Sequence, residues 1–148
     1  MVMLFEKEYP DIDYTRLLKM CIIHDLGEVI GGDIPAIEQS KDIDKAADER
    51  KDLLQLLLPL PEHLQIDITS LWDEYEQAAS AEARLAKAFD KLETILQHNQ
   101  GKNPDNFDYG FNLEYGKQYT AEDPLIVSIR KILDEETKLR SRESLSDS

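Results

Sequence analysis

One stretch of the chain concentrates residues able to do chemistry: Ile22-Ile23-His24-Asp25-Leu26-Gly27-Glu28-Val29-Ile30-Gly31-Gly32-Asp33-Ile34-Pro35. His24 and Asp25 stand side by side at the end of an apolar segment, where ionisable side chains are costly unless paired or coordinated. Glu28 follows His24 by four positions and Asp25 by three, so a helical path places it over the same surface. Asp33 comes next, in a glycine-loosened turn that can bend its carboxylate back. An imidazole and three carboxylates suit a divalent cation with mixed nitrogen and oxygen ligands, such as manganese, cobalt, iron, zinc or magnesium. A His-Asp pair alone is weak evidence, since such pairs more often cap helices or sit on surfaces. A further carboxylate, Asp90, lies 90 − 25 = 65 positions after Asp25, between Phe89 and Leu92. It stands on or beside an apolar stripe, where it is either a ligand or the partner of Lys87 or Lys91.

The elements that must position these residues read as helices. Tyr14, Leu17, Leu18 and Cys21 repeat at i, i+3, i+4 and i+7 and predict a buried helix from Asp13 toward Gly27. Met1–Glu8 has helical composition and ends at Pro10. A helix is expected from about Lys41 to Leu58, with Lys45, Asp48, Glu49, Arg50 and Lys51 on a solvated face. Pro59 and Pro61 stop it and start the next, through His63–Ala78, carrying Trp72 and Tyr75. Ser80 and Glu82 open a long helix running to Gln100, with Leu85, Ala88, Phe89, Leu92, Ile95 and Leu96 as its core stripe. Asn103–Tyr119 reads as a loop, and Pro124 opens a last helix, Leu125–Leu139. No period-2 alternation long enough for a sheet is present, so the expectation is an all-α bundle of about six helices. Residues 1–140 form its single domain and 141–148 a flexible tail.

Length and composition fit that picture. The 148 residues suffice for one domain, and 17 basic against 31 acidic side chains leave a net charge of −14. Such acidity argues against a nucleic acid polymer or an anionic membrane surface as partner, because both need basic patches. A small phosphorylated ligand stays open, since a bound cation reverses the local sign. The single cysteine, Cys21, forms no internal disulfide and is expected to be a buried thiol. No apolar run approaches the ~20 residues of a spanning helix, and Met1–Phe5 is too short for a signal sequence, so a cytoplasmic protein is expected.

The ordered set His24-Asp25-x-x-Glu28-x-x-x-x-Asp33-Ile34-Pro35, then Ser80-Ala81-Glu82-Ala83 and Asp90-Lys91-Leu92-Glu93, resembles the HD-domain metal-dependent phosphohydrolases. Within them it is most similar to the 5′-deoxynucleotidase subgroup, over about Met1 to Leu139. The resemblance implies an all-α fold and a metal held by a His…His-Asp…Asp set, in which His24 and Asp25 match the central dyad and Asp90 the final aspartate. Glu28 and Asp33 match residues serving acid/base work or a second cation, the latter with the Ile34 carbonyl. Hydrolysis of a nucleoside 5′-monophosphate by a metal-activated water is the implied chemistry, and a homodimer the implied assembly. Lys45 is a candidate contact for the substrate phosphate, set against the plainer reading of a solvated lysine.

One ligand of the family set has no match: the histidines are His24, His63 and His98, and none precedes His24. The expectation is a chain shortened at its N-terminus relative to the family. His63, beside Pro61, reads as a surface residue, and His98 falls about 12 Å along the helix from Asp90, so neither replaces the missing ligand. Two further readings therefore stay open: a catalytically impaired or regulatory helical module, and a hydrolase of another nucleotide such as guanosine tetraphosphate or a cyclic nucleotide.

Overall fold

A computed structural model describes residues 1–32, 45–104 and 106–146. Asp33, Ile34 and the expected helix start at Lys41 lie outside the described residues. The described residues are mostly helical, with no strand among them, so the all-α expectation is met. In chain order they are α1 (Tyr14–Ile23), α2 (Glu28–Gly31), α3 (Lys45–Leu57), α4 (Glu62–Glu76), α5 (Ala81–Gln100), α6 (Tyr109–Glu114), α7 (Lys117–Thr120) and α8 (Pro124–Ser146). The chain forms two compact units, Tyr9–Ala86 and Met1–Glu8 with Lys87–Ser148.

In the unit Tyr9–Ala86, α1 starts where Asp13 accepts a hydrogen bond from the Arg16 amide at 3.0 Å, satisfying one of the helix's orphan N–H groups. Its apolar face buries Leu17, Met20 and Ile23. At His24 the backbone tightens into a 3₁₀ turn, His24–Gly27, before α2 resumes. Ile23, Leu53, Leu57 and Trp72 form a buried cluster, with Leu26, Ile68 and Leu71 packed against it. This cluster binds the end of α1 to α3 and α4. Arg16 on α1 makes a two-pronged ion pair with Glu74 on α4, and Arg50 on α3 another with Asp73 at 2.7 and 2.9 Å. Cys21, expected to be buried, is half-buried.

In the other unit, α5 buries Ala88, Phe89, Leu92 and Ile95, and α8 contributes Ile126 and Leu133. Met1–Glu8, expected as a helix, forms two 3₁₀ turns, Val2–Leu4 and Glu6–Glu8, with Phe5 between them stacked on Phe89 at 5.9 Å. The segment read as a loop, Asn103–Tyr119, folds into α6 and most of α7. Its order comes from elsewhere in the chain. The Arg130 guanidinium on α8, nearly inaccessible, donates to the carbonyls of Asn112, Leu113 and Tyr115 at 2.7, 3.0 and 2.6 Å and pairs with Asp134. Asn99 on α5 donates to the Leu133 carbonyl and accepts from Thr137, both on α8. Local propensity cannot show such long-range anchors. Helix α8 also continues past Leu139 to Ser146.

Candidate metal and acid/base site

His24 is the most closely held of the expected site residues. Its Nδ1 lies 2.9 Å from the Cys21 carbonyl, one turn back, and its ring packs on Tyr75 with centroids 4.8 Å apart. Its own carbonyl accepts a hydrogen bond from Trp72 Nε1 at 3.1 Å. Trp72 and Tyr75 are core residues, 2% and 4% exposed. They also brace the imidazole, a function that their spacing alone did not reveal.

Because a carbonyl can only accept, Nδ1 carries the proton, and the neutral ring then has its lone pair on Nε2. That nitrogen lies 3.1 Å from Asp25 Oδ1, whose side chain is 70% exposed. Two acceptor atoms this close repel unless a proton or cation lies between them. Neighbouring ligands on an octahedral cation with bonds of ~2.1–2.2 Å stand ~3 Å apart, so the Nε2 and Oδ1 pair has the spacing of two adjacent ligands. Nitrogen and carboxylate oxygen also have the chemistry of a borderline or hard divalent ion. These residues fit the expected metal as part of its ligand set. Within either unit, no three His, Cys, Asp or Glu side chains among the described residues gather at metal-holding distance.

Glu28, in the first turn of α2, is turned toward α3. Its Oε1 accepts a hydrogen bond from Lys45 Nζ at 2.7 Å, and the same ammonium pairs with Glu49 Oε1 at 2.8 Å. Lys45 and Glu49 therefore do not lie on the solvated face expected for them, whereas Asp48 and Lys51 do. Burial works to lower the Lys45 pKa, but the two carboxylates outweigh it and hold it up at about 12. Burial likewise pushes the Glu49 carboxyl up, against the pull of Lys45 and with the nearby Glu28 charge adding to it. The close approach of α2 to α3 depends on Gly27. A Cβ there would stand 2.8 Å from the Glu49 carbonyl oxygen and 2.9 Å from its Cβ.

Asp90 belongs to the other unit. Its Oδ2 accepts from Lys91 Nζ at 2.8 Å, the ion pair weighed from the sequence, and Lys91 also reaches the Tyr115 hydroxyl at 3.1 Å. Burial lowers the Lys91 pKa, yet Asp90 and Tyr115 together keep it above the ordinary lysine value. The Lys91 stem passes beneath Gly116, whose φ of +67° and the 2.6 Å left for a Cβ both demand glycine. His63 is exposed in the first turn of α4. His98 lies 2.8 Å through Nδ1 from Asn112 Oδ1, with its ring edge-on to Phe107. Neither histidine's setting is that of a substitute ligand.

The unit Tyr9–Ala86 thus presents an adjacent His-Asp pair and, on the turn that follows it, a carboxylate bridged by Lys45 to a second one. The HD domain family model matches residues 1–129, and the chain belongs to that family. It is 35% identical over 95 residues to 5′-deoxynucleotidase HDDC2 of Bos taurus, covering 64% of this chain and 46% of the relative. The Homo sapiens protein of that name is 34% identical over 105 residues, covering 66% and 52%. In Schizosaccharomyces pombe, 5′-deoxynucleotidase hdd1 is 38% identical over 92 residues, covering 60% and 46%. The chain thus spans about half the length of these curated relatives. A crystal structure of a predicted metal-dependent phosphohydrolase from Magnetospirillum magnetotacticum MS-1 superposes with a TM-score of 0.72 at 25% identity, covering 93% of this chain and 72% of the other.

Proposed function

We propose that the chain is a divalent-metal phosphohydrolase of nucleoside 5′-monophosphates, with deoxynucleotides as the favoured class. The observation that carries this is the His24–Asp25 pair, whose Nε2 and Oδ1 stand 3.1 Å apart with Nδ1 anchored on a carbonyl. Relatives named as 5′-deoxynucleotidases support the substrate class. His24 and Asp25 are the proposed metal ligands, and Asp90 joins them on its place in the motif. Bound there, a cation supplies Lewis acidity at the phosphoryl group and makes a neighbouring water more acidic.

The chain's own residues do the rest. Tyr75, Trp72 and the Cys21 carbonyl hold the imidazole in one orientation, so little reorganisation remains when ligands form. Glu28, on the turn following the His-Asp pair, orients the attacking water and takes its proton. Asp33, outside the described residues, is proposed as the acid that protonates the leaving 5′-oxygen, or with Glu28 and the Ile34 carbonyl as a second cation site. In this reading no side chain is phosphorylated.

The test uses the 148-residue chain with manganese or cobalt and dAMP, following phosphate release and, separately, manganese binding by calorimetry. Asp25→Ala and Asp90→Ala are each expected to lower turnover by about 100-fold or more, with manganese affinity lost in parallel. Turnover equal to the unaltered chain in either variant, or no manganese binding by the unaltered chain, overturns the assignment.

A further inference from the structure

We propose that Glu49 is a positioning residue for Glu28, acting through the ammonium of Lys45. The proposal rests on the reading of Glu28 as the acid/base group and extends it to a residue that reaches Glu28 from α3. Three observations converge on it. First, one ammonium is shared by two carboxylates at 2.7 and 2.8 Å, so Lys45 is held at two points. A lysine held at one point would follow Glu28 through its flexible four-carbon stem; held at two, it fixes where Glu28 Oε1 can lie.

Second, Glu49 is paired with Lys45 by hydrogen bonding as well as by charge. Its Oε1 is shielded from solvent and lies 2.8 Å from Lys45 Nζ. A largely buried carboxylate is expensive to keep unless its cationic partner stays in place. Its return is therefore positional. Third, Gly27 lets the turn that carries Glu28 sit directly on the Glu49 backbone, with no room for even a methyl group. The carboxylate pair, the bridging lysine and the close backbone contact make a rigid clamp between α2 and α3. Lys45 is thereby assigned to the clamp, with its charge committed to Glu28 and Glu49 rather than to a substrate phosphate.

Glu49→Gln keeps the shape and removes the charge. It is expected to lower kcat by about tenfold or more, with KM and manganese affinity within about twofold of the unaltered chain. In a Lys45→Met background the same substitution is expected to add nothing further to the loss in kcat, because the two residues act as one device. In the metal-free protein, the Tm shifts of Glu28→Gln and Glu49→Gln are expected to be non-additive by about 2 °C or more, since both carboxylates draw on one ammonium. A kcat within about twofold of the unaltered chain in Glu49→Gln, or a full additional loss in the Lys45→Met background, overturns the proposal. Should the unaltered chain release no phosphate, the functional reading falls, and the Tm cycle decides the clamp: additive shifts overturn it and non-additive shifts sustain it.

Discussion

His24 is oriented by groups that are themselves immobile. Trp72 donates to its carbonyl, Tyr75 lies against its ring and the Cys21 carbonyl fixes its tautomer. Groups of this kind, one step removed from the metal, tune affinity by ordering a ligand before the ion arrives. Trp72→Phe keeps most of the packing and removes the indole N–H. It should cost about 1–2 kcal/mol in chemical denaturation and weaken manganese binding about tenfold by calorimetry. If affinity is unchanged while stability falls, Trp72 supports the core alone. At this scale the sequence was explicit about His24, Asp25 and Glu28, because a polar run at the end of an apolar helix stands out. It was misleading about Lys45 and Glu49. Their spacing in a charged run is that of a solvated face, and only the approach of Glu28 from another element turns them inward.

The 3₁₀ turn that leads into α2 meets α3 at a contact that tolerates no Cβ, so the element scale has its own test. Gly27→Ala must push the α2 turn away from the Glu49 carbonyl and is expected to cost about 1–3 kcal/mol, read as a shift in the urea midpoint. The damage should extend to turnover, because Glu28 moves with the turn. Helices α1 and α4 are joined by the Arg16–Glu74 pair. Hydrogen bonding from the Arg16 guanidinium, helped by a hydrogen bond from Ser80 and then by the Arg16 charge, holds the Glu74 carboxyl below its ordinary value of 4.5 against the opposing effect of burial. A carboxylate with a depressed pKa contributes stability that is fully present above its unfolded pKa and is lost as pH falls through the folded one. Glu74→Gln should therefore lower Tm at pH 7, and the difference from the unaltered chain should shrink as pH drops below 4.5. A difference independent of pH would mean that charge pairing is not what Glu74 provides. The order of α1, α3, α4 and α5 was legible in the spacing of apolar residues and in the prolines, whereas the short α2 falls in a stretch that its glycines mark as a turn. The folding of Asn103–Tyr119 was not, because its carbonyls are satisfied by Arg130 from α8, far along the chain.

For the molecule as a whole, the net charge of −14 is compatible with a phosphorylated substrate only if cationic charge is supplied locally. Binding a metal to the folded chain must also stabilise it by mass action. At about 100 times Kd the gain is about 2.7 kcal/mol, or about 5–10 °C in Tm for a chain of this size. Thermal scans with manganese should show that rise and EDTA should abolish it, while Asp25→Ala should show no rise. No helix among the described residues is long and apolar enough to cross a membrane.

The amino-acid order by itself determined an all-α chain, most helix positions, and the His24-Asp25…Glu28 motif that places it in the HD domain family. These follow from information carried locally: apolar period, caps, prolines and a compact run of ionisable residues. Only the tertiary structure decided that the imidazole is braced by Trp72 and Tyr75, that Lys45 is shared between Glu28 and Glu49, and that the late aromatic segment is helical. Each of these depends on partners distant in sequence, whose cost or benefit is set by burial and distance rather than by the identity of neighbouring residues.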